Sequence, residues 1–330
     1  MTDATCRIVK ADRGDAGQRL DLVLRRHLTD VRAATRTRVQ AWIEGGLVSV
    51  NGKAVHRVAV RTALGDLVSV ALPELPHEAM AAEDVALQVL YEDDHLLAID
   101  KPAGVVVHPA HKNPSGTLMN ALLWHARTWP ASQRPSLVGR LDKLTSGIVL
   151  VAKSAAIHTA LQKALTSSAT AKDYLAVVYG KVNVARGDID LRLRRDPGDR
   201  RRVVASEVLG APSLTRFERL ARVAAPDAGL SLLRCRLVTG RTHQIRVHLS
   251  ARGWPLVGDP TYGEPRWRHV TDLALAATLR EFPRQALHAW RLTTLHPVTR
   301  AGLQIDAQVP DDLQRLMTVA GFHARATEWR

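Results

Sequence analysis

The sequence predicts an α+β protein: a main body on a mixed, largely antiparallel sheet, preceded by a small α/β module. Three observations predict it. Short β-type runs recur across residues 87–311 with few helical stretches between them, which argues against a regularly alternating parallel sheet. Residues 17–72 carry two helix-period segments and then strand-period segments, a small unit in itself. Between the two, Pro73-Glu74-Leu75-Pro76 opens a stiff linker that cannot continue a helix. The expected order is a tail (1–16), the module (17–72), the linker (73–86), the body (87–311) and a second tail (312–330).

Within the module, Arg19-Leu20-Asp21-Leu22-Val23-Leu24 opens a first helix. A second helix spans 37–44, with Val39, Trp42 and Ile43 on one face. Gly45-Gly46 ends it, because glycine accepts the left-handed conformation at a helix C-terminus. Leu47-Val48-Ser49-Val50 runs into an Asn51-Gly52 turn, the strongest short hairpin signal, and 67–70 is a closing strand. Arg32, Arg36 and Arg38 lie on or just ahead of the second helix, placed to line a phosphate backbone.

The body is expected to hold strands at 89–91, 96–99, 148–152, 174–178, 230–237 and 287–295, with helices at 117–127, 158–167 and 272–280. Segment 100–109 reads as strand, turn and strand. Segment 186–202, rich in arginine with interspersed aspartate, reads as an exposed hairpin or loop able to touch a polyanion.

Charge narrows the function. The 330 residues include 46 Lys+Arg and 32 Asp+Glu, net +14, a field that favours polyanions and nucleic acid first. Aromatics are only 4%, too few for an extended base-stacking platform. No apolar run reaches the ~18 residues of a membrane span, and the N-terminus lacks a secretory core. Cys6 and Cys235 are the only cysteines, which excludes a disulfide framework and fits a reducing cytoplasm.

The strongest chemical segment is Gly139-Arg140-Leu141-Asp142-Lys143-Leu144-Thr145-Ser146-Gly147, feeding an apolar strand. In an extended chain Arg140 and Asp142 share one side. An aspartate beside cations stays charged, and at the mouth of a sheet it suits a fixed nucleophile or base; a structural Arg–Asp pair at a strand end is the other reading. The second segment, Gly240-Arg241-Thr242-His243-Gln244-Ile245-Arg246-Val247-His248, places two Arg and two His around a short apolar core. Buried, these groups need partners, and Asp142 is one. His243 and His248 do not have the two-His helical zinc spacing, so no metal is expected. Tyr174, in Lys172-Asp173-Tyr174-Leu175, offers an apolar ring and a hydroxyl to the same cleft.

In order, KPAGVVVHPA, GRLDKLTSGIVLVAKS, KDYLAVVYG, GRTHQIRVHLSARGWPLVGDPTYG and LHAWRLTTLHPVT resemble the RluA-type RNA pseudouridine synthases. The N-terminal RLD helix, basic helix and VSVNGK hairpin resemble the small RNA-binding module first named from a small-subunit ribosomal protein. One departure is visible: Gly139 stands where the family usually has histidine. The resemblance implies the pseudouridine synthase fold and RNA as substrate, with large-subunit ribosomal RNA favoured by the N-terminal module and transfer RNA as the alternative. It implies Asp142 as catalytic aspartate, Arg246 as its basic partner, Tyr174 packing on the target base and Arg140 holding the position that base leaves. Arg241, His243 and Gln244 would shape the cleft or touch RNA. The implied reaction isomerises uridine with no net oxidation or hydrolysis, so no cofactor is expected, and the chain carries no dinucleotide or P-loop fingerprint. Two rivals are a non-catalytic RNA-binding protein and a metal-dependent nuclease on His108, His111, His243 and His248; the latter lacks clustered carboxylates at ligand spacing.

Overall fold

In the computed structural model the described residues are 5–28, 31, 34–72, 80–109, 113–199, 201–223 and 229–322. Arg32, His111, linker positions 73–79 and the last eight positions of the expected second tail lie outside them. The chain divides into two units, Met1–Ala79 and Met80–Arg330.

The first unit holds β1 (Thr5–Lys10), α1 (Leu20–His27), α2 (Arg36–Glu44), β2 (Val48–Val50), β3 (Lys53–Ala54) and β4 (Leu67–Leu72). Its antiparallel sheet runs β1-β4-β2-β3, and both helices bury Leu20, Leu24, Val39, Trp42 and Ile43 against Val48, Val68 and Val70. Asn51 and Gly52 both have positive φ, 51° and 77°, as a type I′ hairpin turn requires. Asp21 is fully buried and accepts from Arg19 and Gln40, so the RLD start of α1 is an internal brace. The expected tail at 1–16 is in part strand, since β1 pairs along the whole of β4. That edge strand hides in the sequence because it lacks a run of inward apolar residues: Val9 packs on the core, but Ile8 is 67% exposed.

The second unit holds β5 (Gln88–Glu92), β6 (Leu96–Lys101), α3 (Leu118–His125), β7 (Ser136–Val138), β8 (Ser146–Ala152), α4 (Ala155–Ala164), β9 (Ala171–Tyr179) and β10 (Arg186–Asp190). Then follow β11 (Arg192–Arg195), β12 (Val203–Ser206), β13 (Leu214–Val223), β14 (Leu230–Leu237), α5 (Gln244–Ala251), α6 (Leu273–Glu281), β15 (Leu287–Leu295), β16 (Gly302–Asp306) and α7 (Asp311–Val319). The main sheet runs β10-β13-β14-β9-β15-β8-β6-β5, with β16 on β15 and β7 on β8. Among the described residues its one parallel pairing is β15 with β8; the α+β, largely antiparallel expectation holds.

Strand alternation explains how both faces are covered. Along β9, Val177 and Tyr179 join α6 and α7 in one core, while Ala176 and Val178 face Ile245 and Leu249 of α5 in another. Tyr174 follows the second set, which turns it toward α5. The expected tail after 311 is also corrected. Helix α7 buries Leu313, Leu316 and Met317 in the first of these cores, a 3.6-period stripe too brief to stand out at a chain end. The second strand expected in 100–109 is absent: the carbonyls of Val106 and Val107 accept instead from Leu118 and Met119 at the start of α3. The arginine-rich stretch splits into β10, paired with β13, and β11, which forms a separate hairpin with β12.

Candidate active site

The central sheet forks. Strands β8 and β15 pair only through Ser146↔His288 and Gly147↔Ala289. Beyond that contact β8 turns to β7 and β15 to β16. Gly147 permits the contact: its φ is +112°, and an added Cβ would lie 2.2 Å from the Ala289 carbonyl oxygen. The fork opens into a cavity of about 240 Å3 lined by Asp142, Tyr174, His243, Arg246, Ala289 and Leu292 among others.

Asp142 stands at the entrance to β8. Its carbonyl accepts from Thr145 N–H, and the Thr145 hydroxyl is held by Gln285 Nε2 at 2.9 Å. Behind this loop lies Lys101, 0% exposed, whose Nζ donates to the carbonyls of Pro102, Val105 and Lys143 at 2.8, 3.0 and 3.2 Å. One buried ammonium thus ties the Lys-Pro-Ala-Gly loop to the Asp142 loop. Burial pulls the Lys101 amine down to about 8, with the Arg284 charge adding to the shift.

Helix α5 supplies the partner. Arg246 Nη1 donates to Asp142 Oδ2 at 3.0 Å, while its Nε and Nη2 grip Asp259 Oδ2 and Oδ1 at 2.7 and 2.8 Å. Asp259 Oδ1 also accepts from the backbone of Thr261 and Tyr262. Burial opposes the Asp259 charge, but the Arg246 bonds outweigh it and hold the carboxyl below its usual range. Arg246 is therefore clamped from behind and offers one N–H to the cleft. His243 precedes α5 with φ 56°, a left-handed conformation unusual for a side-chain-bearing residue. Its Nε2 lies 3.8 Å from Asp142 Oδ1, and its Nδ1 is 2.8 Å from the Tyr262 hydroxyl. Burial pushes the imidazole down, against the pull of the Asp142 charge, and the Arg246 and Arg140 charges push the same way. Burial, with the Asp142 charge second, drives the Tyr174 phenol well above its usual value, so it stays neutral.

The structure thus brings Asp142, Tyr174, His243 and Arg246 to one cleft, with exposed Arg140 and Arg241 also on its lining. Gln244 lines it too but has no free polar atom: Oε1 accepts from Thr239 and Arg241, and Nε2 donates to Leu214 O and Thr215 Oγ1. It shapes the loop and does not present itself to a ligand. Arg36 and Arg38 are exposed on α2 in the first unit, Arg36 3.8 Å from Asp21. His248 spends its ring nitrogens on Thr215 Oγ1 and Leu191 O, a buried brace. Sequence reasoning missed Lys101, Asp259 and Tyr262. Each stands in a quoted motif, but what marks it is a partner far along the chain. At Gly139 φ is +86°, and the space where a side chain would stand is open.

Comparisons with known proteins give the family. The RNA pseudouridylate synthase family matches residues 95–251. The chain is 42% identical over 317 residues to ribosomal large subunit pseudouridine synthase D of Xanthomonas campestris pv. campestris, covering 95% of this chain and 92% of that protein. It is 38% identical over 321 residues to the protein of the same name from Pseudomonas aeruginosa, covering 97% of each. Among solved structures, human RNA pseudouridylate synthase domain containing 1 superposes with a TM-score of 0.53 at 26% identity, over 69% of this chain and 86% of that one. The family match and these relatives define an RNA-modifying isomerase. The chain belongs to the RNA pseudouridine synthase family.

Proposed function

We propose that this protein converts uridine to pseudouridine in large-subunit ribosomal RNA, with Asp142 as its catalytic group. The observation that carries the reading is the asymmetric hold on Asp142: Arg246 occupies Oδ2 at 3.0 Å, and among the described residues Oδ1 has no partner within hydrogen-bond distance. One oxygen is thereby kept for chemistry while the other is fixed. The target nucleotide leaves its stack at a cost of a few kcal/mol, which phosphate contacts to basic side chains offset. Exposed Arg140, next to the site, is placed to fill the position it leaves, and the neutral Tyr174 ring packs on the extruded uracil. The bond from ribose to ring nitrogen breaks, the uracil turns, and a ring carbon bonds to the sugar; that carbon loses its proton and the freed ring nitrogen takes one up, so the product is an isomer of the substrate. Asp142 acts by attack on sugar or base or by removing a sugar proton; each route uses the same free oxygen.

The choice of RNA follows the names of the relatives and the basic helix α2, whose Arg38 is exposed. The two free cysteines and the nucleic-acid substrate favour the cytoplasm. No helix among the described residues is long and apolar enough to cross a membrane. Site-resolved pseudouridine mapping with purified enzyme tests the substrate: modification of free large-subunit ribosomal RNA supports it, and modification confined to transfer RNA overturns it.

A further inference from the structure

Tyr262 belongs to the loop after α5, yet its hydroxyl joins two other parts of the site. The backbone N–H of Val203, on β12, donates to Oη at 2.9 Å. The same oxygen lies 2.8 Å from His243 Nδ1. The ring is 8% exposed and packs with Leu193 and Val247; the guanidinium carbons of Arg246 and Arg202 stand 5.0 and 5.4 Å from its centroid.

Proton accounting fixes the direction of these bonds. A phenol has one proton to give. With Val203 donating in, the arrangement that leaves no buried group unpaired sends the tyrosine proton to His243 Nδ1. The reverse, an Nδ1–H donating to Oη, would leave the hydroxyl proton without an acceptor among the described residues. With Nδ1 accepting, the proton of the neutral imidazole sits on Nε2, the nitrogen facing Asp142 Oδ1 at 3.8 Å. The other tautomer would aim a lone pair at the carboxylate and repel it.

We propose that Tyr262 is a positioning residue for the reaction: docked on the β11–β12 hairpin through Val203, it holds His243 as the Nε2–H tautomer, so that a donor borders the free oxygen of Asp142. The inference rests on Asp142 being the catalytic group. It also gives the hairpin a second consequence. Exposed Arg192, Arg194, Arg195, Arg201 and Arg202 lie on the hairpin whose amide orients the tyrosine hydroxyl, so its seating on α5 and the alignment of the carboxylate are linked.

The test uses full-length protein labelled with 15N-histidine, with the His243 signals assigned by their loss in His243→Gln. The wild type is expected to show a bare Nδ1 and a protonated Nε2, and Tyr262→Phe, which keeps the ring, to lose that preference. Single-turnover rates on a ribosomal RNA fragment are expected to fall about five- to tenfold in Tyr262→Phe, the kinetic equivalent of one hydrogen bond, with RNA affinity unchanged. In a His243→Gln background the same substitution is expected to add nothing. A protonated Nδ1 in the wild type, or an equal further loss in the His243→Gln background, overturns the proposal. Full turnover by Asp142→Asn would instead overturn the functional reading, and the tautomer measurement stands apart from it because it needs no reaction.

Discussion

Arg246 gives Asp142 a single N–H at 3.0 Å and commits the rest of its fork to Asp259. The carboxylate proposed as catalytic is thus held by a cation that is itself immobilised. Asp259, its side chain 1% exposed, aims that cation while also holding the backbone of Thr261 and Tyr262.

Removing Asp259 leaves Arg246 buried with only Asp142 to pair with. Asp259→Ala is expected to lose about 3–5 kcal/mol of stability, as for a broken buried ion pair, and to slow turnover as Arg246 rotates to grip Asp142 with both nitrogens. Urea denaturation beside single-turnover assays checks both; a variant of wild-type stability and rate contradicts the positioning role.

Gly147→Ala tests the fork. Its Cβ would press on the Ala289 carbonyl from a backbone at φ +112°, so the β8–β15 contact must open. A loss of at least ~2 kcal/mol is expected, with activity falling in parallel because Asp142 and Tyr174 stand on opposite sides of that contact. The thermal midpoint measures it.

Lys101 sets a pH dependence. Its amine is pulled down to about 8 in the fold, from a reference value of 10.5. Between those values the unfolded chain binds more protons, so the Lys101 contribution to stability rises with pH. The stability of wild type minus that of Lys101→Met is expected to increase from pH 8 to 10.5 and to stay flat below 8. Denaturant titrations across that range check it; a difference that falls with pH contradicts it.

The hairpin arginines are expected to meet RNA phosphates. Reversing Arg194, Arg195 and Arg201 to glutamate should weaken RNA binding and lessen its dependence on salt concentration, by a slope change of about one per lost contact. Filter binding at several salt concentrations reads this directly.

Much of this was legible in sequence. The continuous apolar runs LAVVY and IVLVA placed β9 and β8, and the Asn51-Gly52 turn placed the first-unit hairpin, because burial and turn chemistry are local signals. Arg140, Asp142, Tyr174 and Arg246 were visible as motif residues, and the fold brings them to one cleft. Partnerships were not legible. Asp259 with Arg246 and Tyr262 with Val203 depend on tertiary return of the chain, and β1, with Val9 on the core and Ile8 exposed, lacks a run of inward apolar residues to betray it. For Gln244 the sequence leaves open shaping the cleft or touching RNA, and its saturated hydrogen bonds, visible only in three dimensions, favour the first.

The central claim is that the free oxygen of Asp142 performs the isomerisation. Asp142→Asn keeps the side chain's shape, and its amide oxygen can still accept from Arg246. Single-turnover conversion of uridine in large-subunit ribosomal RNA is the measurement. The account predicts that conversion is abolished while RNA affinity stays within a few-fold of wild type; conversion at the wild-type rate would contradict it.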